Sequence, residues 1–302
     1  MRPGDAPFAA RLEEGLRRFE AASGSLPGIA GRVERVTLIE QLVESQRRRA
    51  FVQRLPALRL DHRRADPRSD LFDPLKAAAV IQRDGAVDEA FWMAFLFVQF
   101  GRSRSGGWRY AREVYGRLGT GRWDWPSVSR EPAAFRAWIE GEAEAIRHGG
   151  PGGFGNHRKY QSLCSTGETV ETYVAWVGDG GSHEARFNVL AGTAGGDPKG
   201  TFAAAYRSMA PVSGFGRTAR FDYLTTVGRL GLLAIEPDRA YLDGATGPLA
   251  GARILVGTAS PAHELDGRLV ALGAELGLTM DVVEDGVCNW QKSPSAFRPF
   301  RD

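Results

Sequence analysis

Ala86-Val-Asp-Glu-Ala-Phe-Trp-Met-Ala-Phe-Leu-Phe-Val-Gln-Phe100 is apolar on every side of a helix, which is the pattern of a helix surrounded by protein. It predicts a central core helix over 87–100. Outward from it, apolar residues recur at helical spacing, as in Val33, Val36, Leu38, Ile39, Leu42 and Val43, and no long alternating strand competes. Helices are expected at about 8–21, 29–54, 72–83, 107–118, 131–147, 168–177, 183–193, 199–210, 217–233, 262–276 and 281–291. Only Ala252-Arg-Ile-Leu-Val-Gly257 has strand character.

Glycine-rich turns punctuate these helices at 101–107, 148–156, 194–198, 213–217 and 243–248. The fold class is therefore read as all-α, an orthogonal multi-helix array of two lobes. The expected division is an N-terminal helical region over 1–70, its basic stretch 59–70 a mobile loop, followed by a helical domain over 71–302. Within that domain the lobes would meet near 150, as 71–150 and 151–302.

The chain of 302 residues carries 25% charged side chains and no apolar run long enough to cross a bilayer. Its N-terminus has acids and no apolar signal core, so a soluble, cytoplasmic protein is expected. Cys164 and Cys288 form no ligand spacing, which argues against zinc. The Gly149–Gly155 stretch is neither a Walker A loop nor GxGxxG, and no metal or cofactor is expected. Arginine outnumbers lysine 35 to 4, with eight arginines in 47–68 and six in 99–122. Such patches suit phosphate, although a solvated basic face has the same composition.

Four constellations could carry chemistry. In Gly214-Phe-Gly216-Arg217-Thr218-Ala-Arg220 a glycine turn leads straight into a helix, whose N-terminus favours an anion. It resembles the helix-hairpin-helix element of DNA glycosylases, shortened by one residue, and a tight helical corner would look the same. In that superfamily a carboxylate follows at the start of the next helix. Glu236 lies 20 positions beyond Gly216, with Asp238 and Asp243 as competitors. The second constellation sets His157, Arg158 and Lys159 after five glycines, cations for a phosphate or diphosphate with His157 as proton donor, or else a hinge with a basic flank. The third interleaves Arg102, Arg104, Arg109 and Arg112 with Trp108, Tyr110 and Tyr115. The fourth, Cys288-Asn-Trp290-Gln-Lys292, offers a thiol better read as packing and an ammonium better placed than the thiol to reach solvent or a ligand.

Together the runs FGRSRSGGWRYAREVYGRLG, GGFGNHRKYQSL, FGRTARFDYL, AYLDGATGPLAGAR and CNWQKSP resemble the alpha-glutamyl/putrescinyl thymine pyrophosphorylase family, specifically its third clade, over about residues 88–302. The resemblance implies a glycosylase-related helical fold and a DNA substrate carrying pyrophosphorylated 5-hydroxymethyluracil. It further implies displacement of that diphosphate by a small amine or amino acid. On this reading Glu236, Asp238, Asp243 and His157 are catalytic candidates. Arg158, Lys159, Arg109 and Lys292 would hold the diphosphate, and Gly214, Gly216, Arg217, Thr218, Arg220, Arg102 and Arg104 the DNA. A base-excising glycosylase or lyase, or a non-catalytic DNA-binding protein, are the competing readings.

Overall fold

The computed structural model describes residues 2–299 and is all-α. In chain order it opens with α1 (Ala6–Ser23), α2 (Arg32–Arg54), α3 (Pro74–Arg83), α4 (Val87–Phe100) and α5 (Arg109–Tyr115). It continues through α6 (Trp125–Arg130), α7 (Pro132–Gly141), α8 (Ala143–His148), α9 (Leu163–Val177) and α10 (His183–Thr193). The last five are α11 (Pro198–Ser208), α12 (Arg217–Arg229), α13 (Gly247–Val256), α14 (Ala262–Leu276) and α15 (Met280–Trp290). Among the described residues there is no strand, only an isolated bridge between Ser103 and Gly107.

Local chemistry sets the boundaries. Asp73, Asp124 and Asp197 each accept a backbone N–H in the first turn of α3, α6 and α11, and a proline sits at the start of each helix. Ser162 and Ser165 exchange hydrogen bonds as a capping box on α9. The single helix expected over 131–147 is two, α7 and α8, because the chain leaves the helical region between them at Glu142, at φ −94°, ψ 2°. The expected strand at 252–257 is instead the end of α13, closed by Gly257 in the left-handed conformation. Packing overrides the β-branched residues there: α13 lies so close to α15 that a Cβ on Gly251 would sit 2.5 Å from the Val287 carbonyl.

The chain divides at 51/52 and 235/236, away from the boundaries near 70 and 150 expected from its glycines. One unit joins Met1–Phe51 with Glu236–Arg301, the other is Val52–Ile235. The physical reason is that α1 packs on α14 and α13 packs on α15, so the two ends of the chain share one core. That core includes Leu12, Leu16, Phe19, Leu38, Leu42, Leu269, Val283 and Trp290. In this unit three arginines of the first basic patch are paired with acids: Arg48 with Asp285, Arg47 with Glu44 at 3.2 Å, and Arg49 with Asp281 at 3.4 Å. These three form an ion-paired face rather than an open phosphate grip.

In the other unit α4 is the axis, as its sequence predicts. Ten of its residues, from Ala90 to Phe100, are buried, and α3, α5, α6, α10 and α12 pack around it. The expected loop 59–70 contains a 3-10 turn (His62–Ala65) and is stitched by Arg63 to Asp61 (2.7 Å) and Arg68 to Asp66 (3.1 Å). Each large aromatic removed from water contributes about 1.5–3 kcal/mol, and here Trp92, Phe95, Trp125, Tyr173, Phe187, Phe215 and Tyr223 join one cluster, Phe95 and Tyr173 stacking at 4.1 Å.

A polar chain crosses that cluster. Asp88 accepts from His183 Nδ1 at 2.8 Å, His183 Nε2 lies 2.7 Å from the Tyr173 hydroxyl, and that hydroxyl lies 2.7 Å from the Tyr223 hydroxyl. Burial pushes the imidazole down, so it is neutral. Because a carboxylate only accepts, Nδ1 carries the proton, Tyr173 donates to Nε2, and Tyr223 donates to Tyr173. The neighbouring Glu89 accepts from the Tyr115 hydroxyl (2.8 Å) and from the Trp125 backbone N–H (2.6 Å). Burial raises its carboxyl from 4.5 to about 7.

A raised folded-state value has a definite sign. The folded chain holds the Glu89 proton at pH values where the unfolded chain has released it. Its contribution is therefore full below pH 4.5 and fades as pH rises to about 7. Glu89→Gln, which mimics the neutral acid, is expected to flatten this part of the stability profile, by at most about 3 kcal/mol. Denaturant midpoints measured across that window check it; a wild-type slope retained in the variant would contradict it.

Candidate nucleic-acid interface

Three glycine turns meet at the C-terminal end of α4. As the helix finishes, the Phe100 carbonyl accepts the Gly155 N–H at 2.8 Å. Gly101, at φ +62°, and Gly155 pass so closely that a Cβ on Gly155 would sit 2.8 Å from the Arg102 nitrogen. No side chain fits between them, which explains glycine at both positions. The turn 101–107 therefore lies backbone to backbone against 151–155. The third turn, 213–216, joins α11 to α12, which pack on each other. Gly214 turns at φ +65°, with its Cβ direction 3.0 Å from Thr169 Oγ1.

Two arginines bind these turns together, and both were expected to hold phosphate. Arg158 is buried, its Nη2 donating to Gln99 Oε1 at 2.6 Å and to the Gly214 carbonyl at 3.3 Å. Its guanidinium lies over the Phe215 ring at 5.6 Å. Burial lowers it from 12.5 to about 10, so it stays charged at neutral pH, opposite Asp222. Gln161 adds a further bond to the Gly214 carbonyl at 3.4 Å. Arg109 is buried too, donating to the Pro151 carbonyl (2.9 Å), the Ile146 carbonyl (2.7 Å) and Glu113 (2.6 Å). Apart from Arg109 Nη2, which is buried without a hydrogen-bond partner among the described residues, the N–H groups named here are spent on protein acceptors. Both are struts.

What faces water around this junction is a smaller set. Arg102, Arg104, His157 and Lys159 are exposed, as are Gly214, Gly216 and Thr218. Arg217 and Arg220 are half-buried, stacked on Phe221 at 4.8 Å and Tyr206 at 4.5 Å. α12 starts at Gly216 with no side-chain cap, so its positive end is presented by backbone alone. Exposed cations beside glycine backbone form a surface suited to phosphate oxygens.

The remaining candidates belong to the other unit. Glu236, Asp238 and Asp243 lie on a loop and not at a helix start, since the next helix begins only at Gly247. The loop has its own logic: Asp266 accepts the backbone N–H groups of Ala240 (3.1 Å) and Leu242 (3.0 Å), and Tyr241 takes φ +51°. Asp238 accepts from the Tyr241 hydroxyl at 2.6 Å. Lys292, just past α15, donates to Asn289 at 2.9 Å. Cys288 packs against Gly247, whose Cβ would sit 2.8 Å from its sulfur, in keeping with a packing role. Among the described residues no His, Cys, Asp and Glu group could hold a metal ion, and no helix is long and apolar enough to cross a membrane.

Sequence reasoning missed Gln99 and Gln161, whose amides meet Arg158 and Gly214. Gln99 did leave a signal, as the one amide in the apolar run 90–100. The family model of alpha-glutamyl/putrescinyl thymine pyrophosphorylase clade 3 matches residues 33–302, extending further toward the N-terminus than the distinctive runs. No curated protein and no solved structure matches the chain.

The two neighbouring cations should behave oppositely. Arg158→Ala leaves Gln99 Oε1 and the Gly214 carbonyl short of a donor and is expected to cost about 1–3 kcal/mol of stability. Lys159→Ala should change stability by less than about 0.5 kcal/mol while weakening binding to DNA. Thermal unfolding with a DNA titration of each variant reads both; equal stability of the two would contradict the strut assignment.

Proposed function

Since the chain belongs to the alpha-glutamyl/putrescinyl thymine pyrophosphorylase family, clade 3, we propose that it is a DNA base-modifying transferase. It replaces the diphosphate of a pyrophosphorylated 5-hydroxymethyluracil with an amine, leaving a hypermodified thymine in the strand. The observation that carries this reading is the convergence of exposed Arg102, Arg104, His157 and Lys159 on the junction of three glycine turns.

The chemistry asks for cations in that arrangement. The amine lone pair forms a C–N bond at the exocyclic CH2 as the C–O bond breaks, and the electron pair leaves with the diphosphate oxygen. Positive side chains that meet the growing negative charge stabilise the transition state more than the ground state. Lys159, Arg102 and Arg104 take that role, and His157 protonates the departing oxygen. Arg158 and Arg109, proposed from sequence for the same task, act one step back by fixing the turns. The amine's surplus proton passes to water. Gly214, Gly216, Arg217, Thr218 and Arg220 hold the strand, and the base leaves the duplex to react.

The full-length protein is incubated with DNA containing thymine, 5-hydroxymethyluracil or its diphosphate, with and without amines, and the digested nucleosides are weighed. A heavier nucleoside with one diphosphate released per base is expected only from the diphosphate substrate plus amine. Free base would establish the glycosylase reading instead, and binding without any conversion would leave a DNA-binding protein. Lys159→Ala with Arg102→Ala should lower turnover at least about tenfold.

A further inference from the structure

Tyr160 breaks the rule by which this chain places its aromatics. Its side chain is 89% exposed, whereas the next most exposed large apolar residue among the described residues, Val189, is at 63%. A ring of that size left in water forgoes the stabilisation that burial would supply, so its position asks for a partner outside the fold.

The turn that carries the ring is also held in place. On one side Arg158 is buried and bonded to Gln99 and Gly214; on the other Gln161 donates its backbone N–H to the Arg158 carbonyl at 2.9 Å and its amide to Gly214. Ser162 then caps α9. Lys159 and Tyr160 therefore form the tip of a short turn whose two feet stand on the same hairpin carbonyl. The Lys159 ammonium sits 4.9 Å from the Tyr160 ring centre, beside exposed His157. A flat apolar face next to cations matches one ligand chemistry well: a nucleobase out of its stack, on a strand whose phosphates the cations meet.

We infer that Tyr160 is a stacking platform for an unpaired base in DNA. This rests on the reading of the protein as one that acts on DNA, and it adds the residue that distinguishes an opened duplex from a closed one. In a paired duplex the base faces are already stacked on their neighbours, so the ring has none to cover there.

The test uses fluorescence anisotropy with the full-length protein and two duplexes of equal length, one fully paired and one with a single unpaired base replaced by 2-aminopurine. Wild type is expected to prefer the second and to quench its fluorescence. Tyr160→Ala should lose roughly 10- to 100-fold affinity for the unpaired-base duplex, change within about twofold on the paired one, keep its salt dependence and lose the quenching. Tyr160→Phe should keep all of these. If wild type binds DNA and Tyr160→Ala retains the preference and the quenching, the platform is overturned while the function stands. If wild type binds neither duplex, the DNA reading itself fails and takes the platform with it.

Discussion

A guanidinium taken out of water needs its N–H groups met, and the Arg158 side chain meets that need by joining Gln99 at the end of α4 to the carbonyl of Gly214. Much of the 52–235 unit's functional face follows from this constraint. Gln99 is the one amide in an otherwise apolar helix segment; Gly214 must turn left-handed to offer its carbonyl; Gly155 must be bare to let the loop carrying Arg158 reach the helix end. Arg109 repeats the device one turn away by gathering the carbonyls of Ile146 and Pro151. Removing one partner from such an arrangement costs far more than the net worth of each bond, because the others stay buried.

α4 also organises charge. Asp88 and Glu89 occupy its first turn, where the helix dipole favours acids, and buried Arg158 meets its last residues, where the dipole favours cations. The acidic end is closed into the core: Asp88 is held low by its bonds from His183 despite partial burial, and Glu89 is held high by burial. The basic end opens onto the surface through Arg102, Arg104, His157 and Lys159. One apolar helix thus separates a structural acid cluster from a candidate anion-binding face.

Helical periodicity made the all-α class and the central position of α4 legible, because an apolar surface on all sides has only one stable environment. The glycine turns were legible as turns. Their meeting was not, since contacts such as Gly155 with Phe100 join residues 55 positions apart. Composition marked the arginines but could not say which had partners: Arg48 and Lys159 both stand in basic runs, yet Arg48 is consumed by Asp285 and Lys159 faces water. The stretch 252–257 misled because β-branched residues suit strands in isolation, while the close approach of α13 and α15 at Gly251 decides otherwise. The likeness to the glycosylase hairpin placed the loop 236–243 at a helix start, and no local signal announces that Asp266 captures its backbone.

If the three turns form one DNA-facing surface, amide hydrogen exchange with and without DNA reads it. Protection is expected to appear together in 101–107, 153–160 and 213–218 and to be absent from the ion-paired arginines of 47–49. Protection confined to 47–68, with the three turns unchanged, would contradict it.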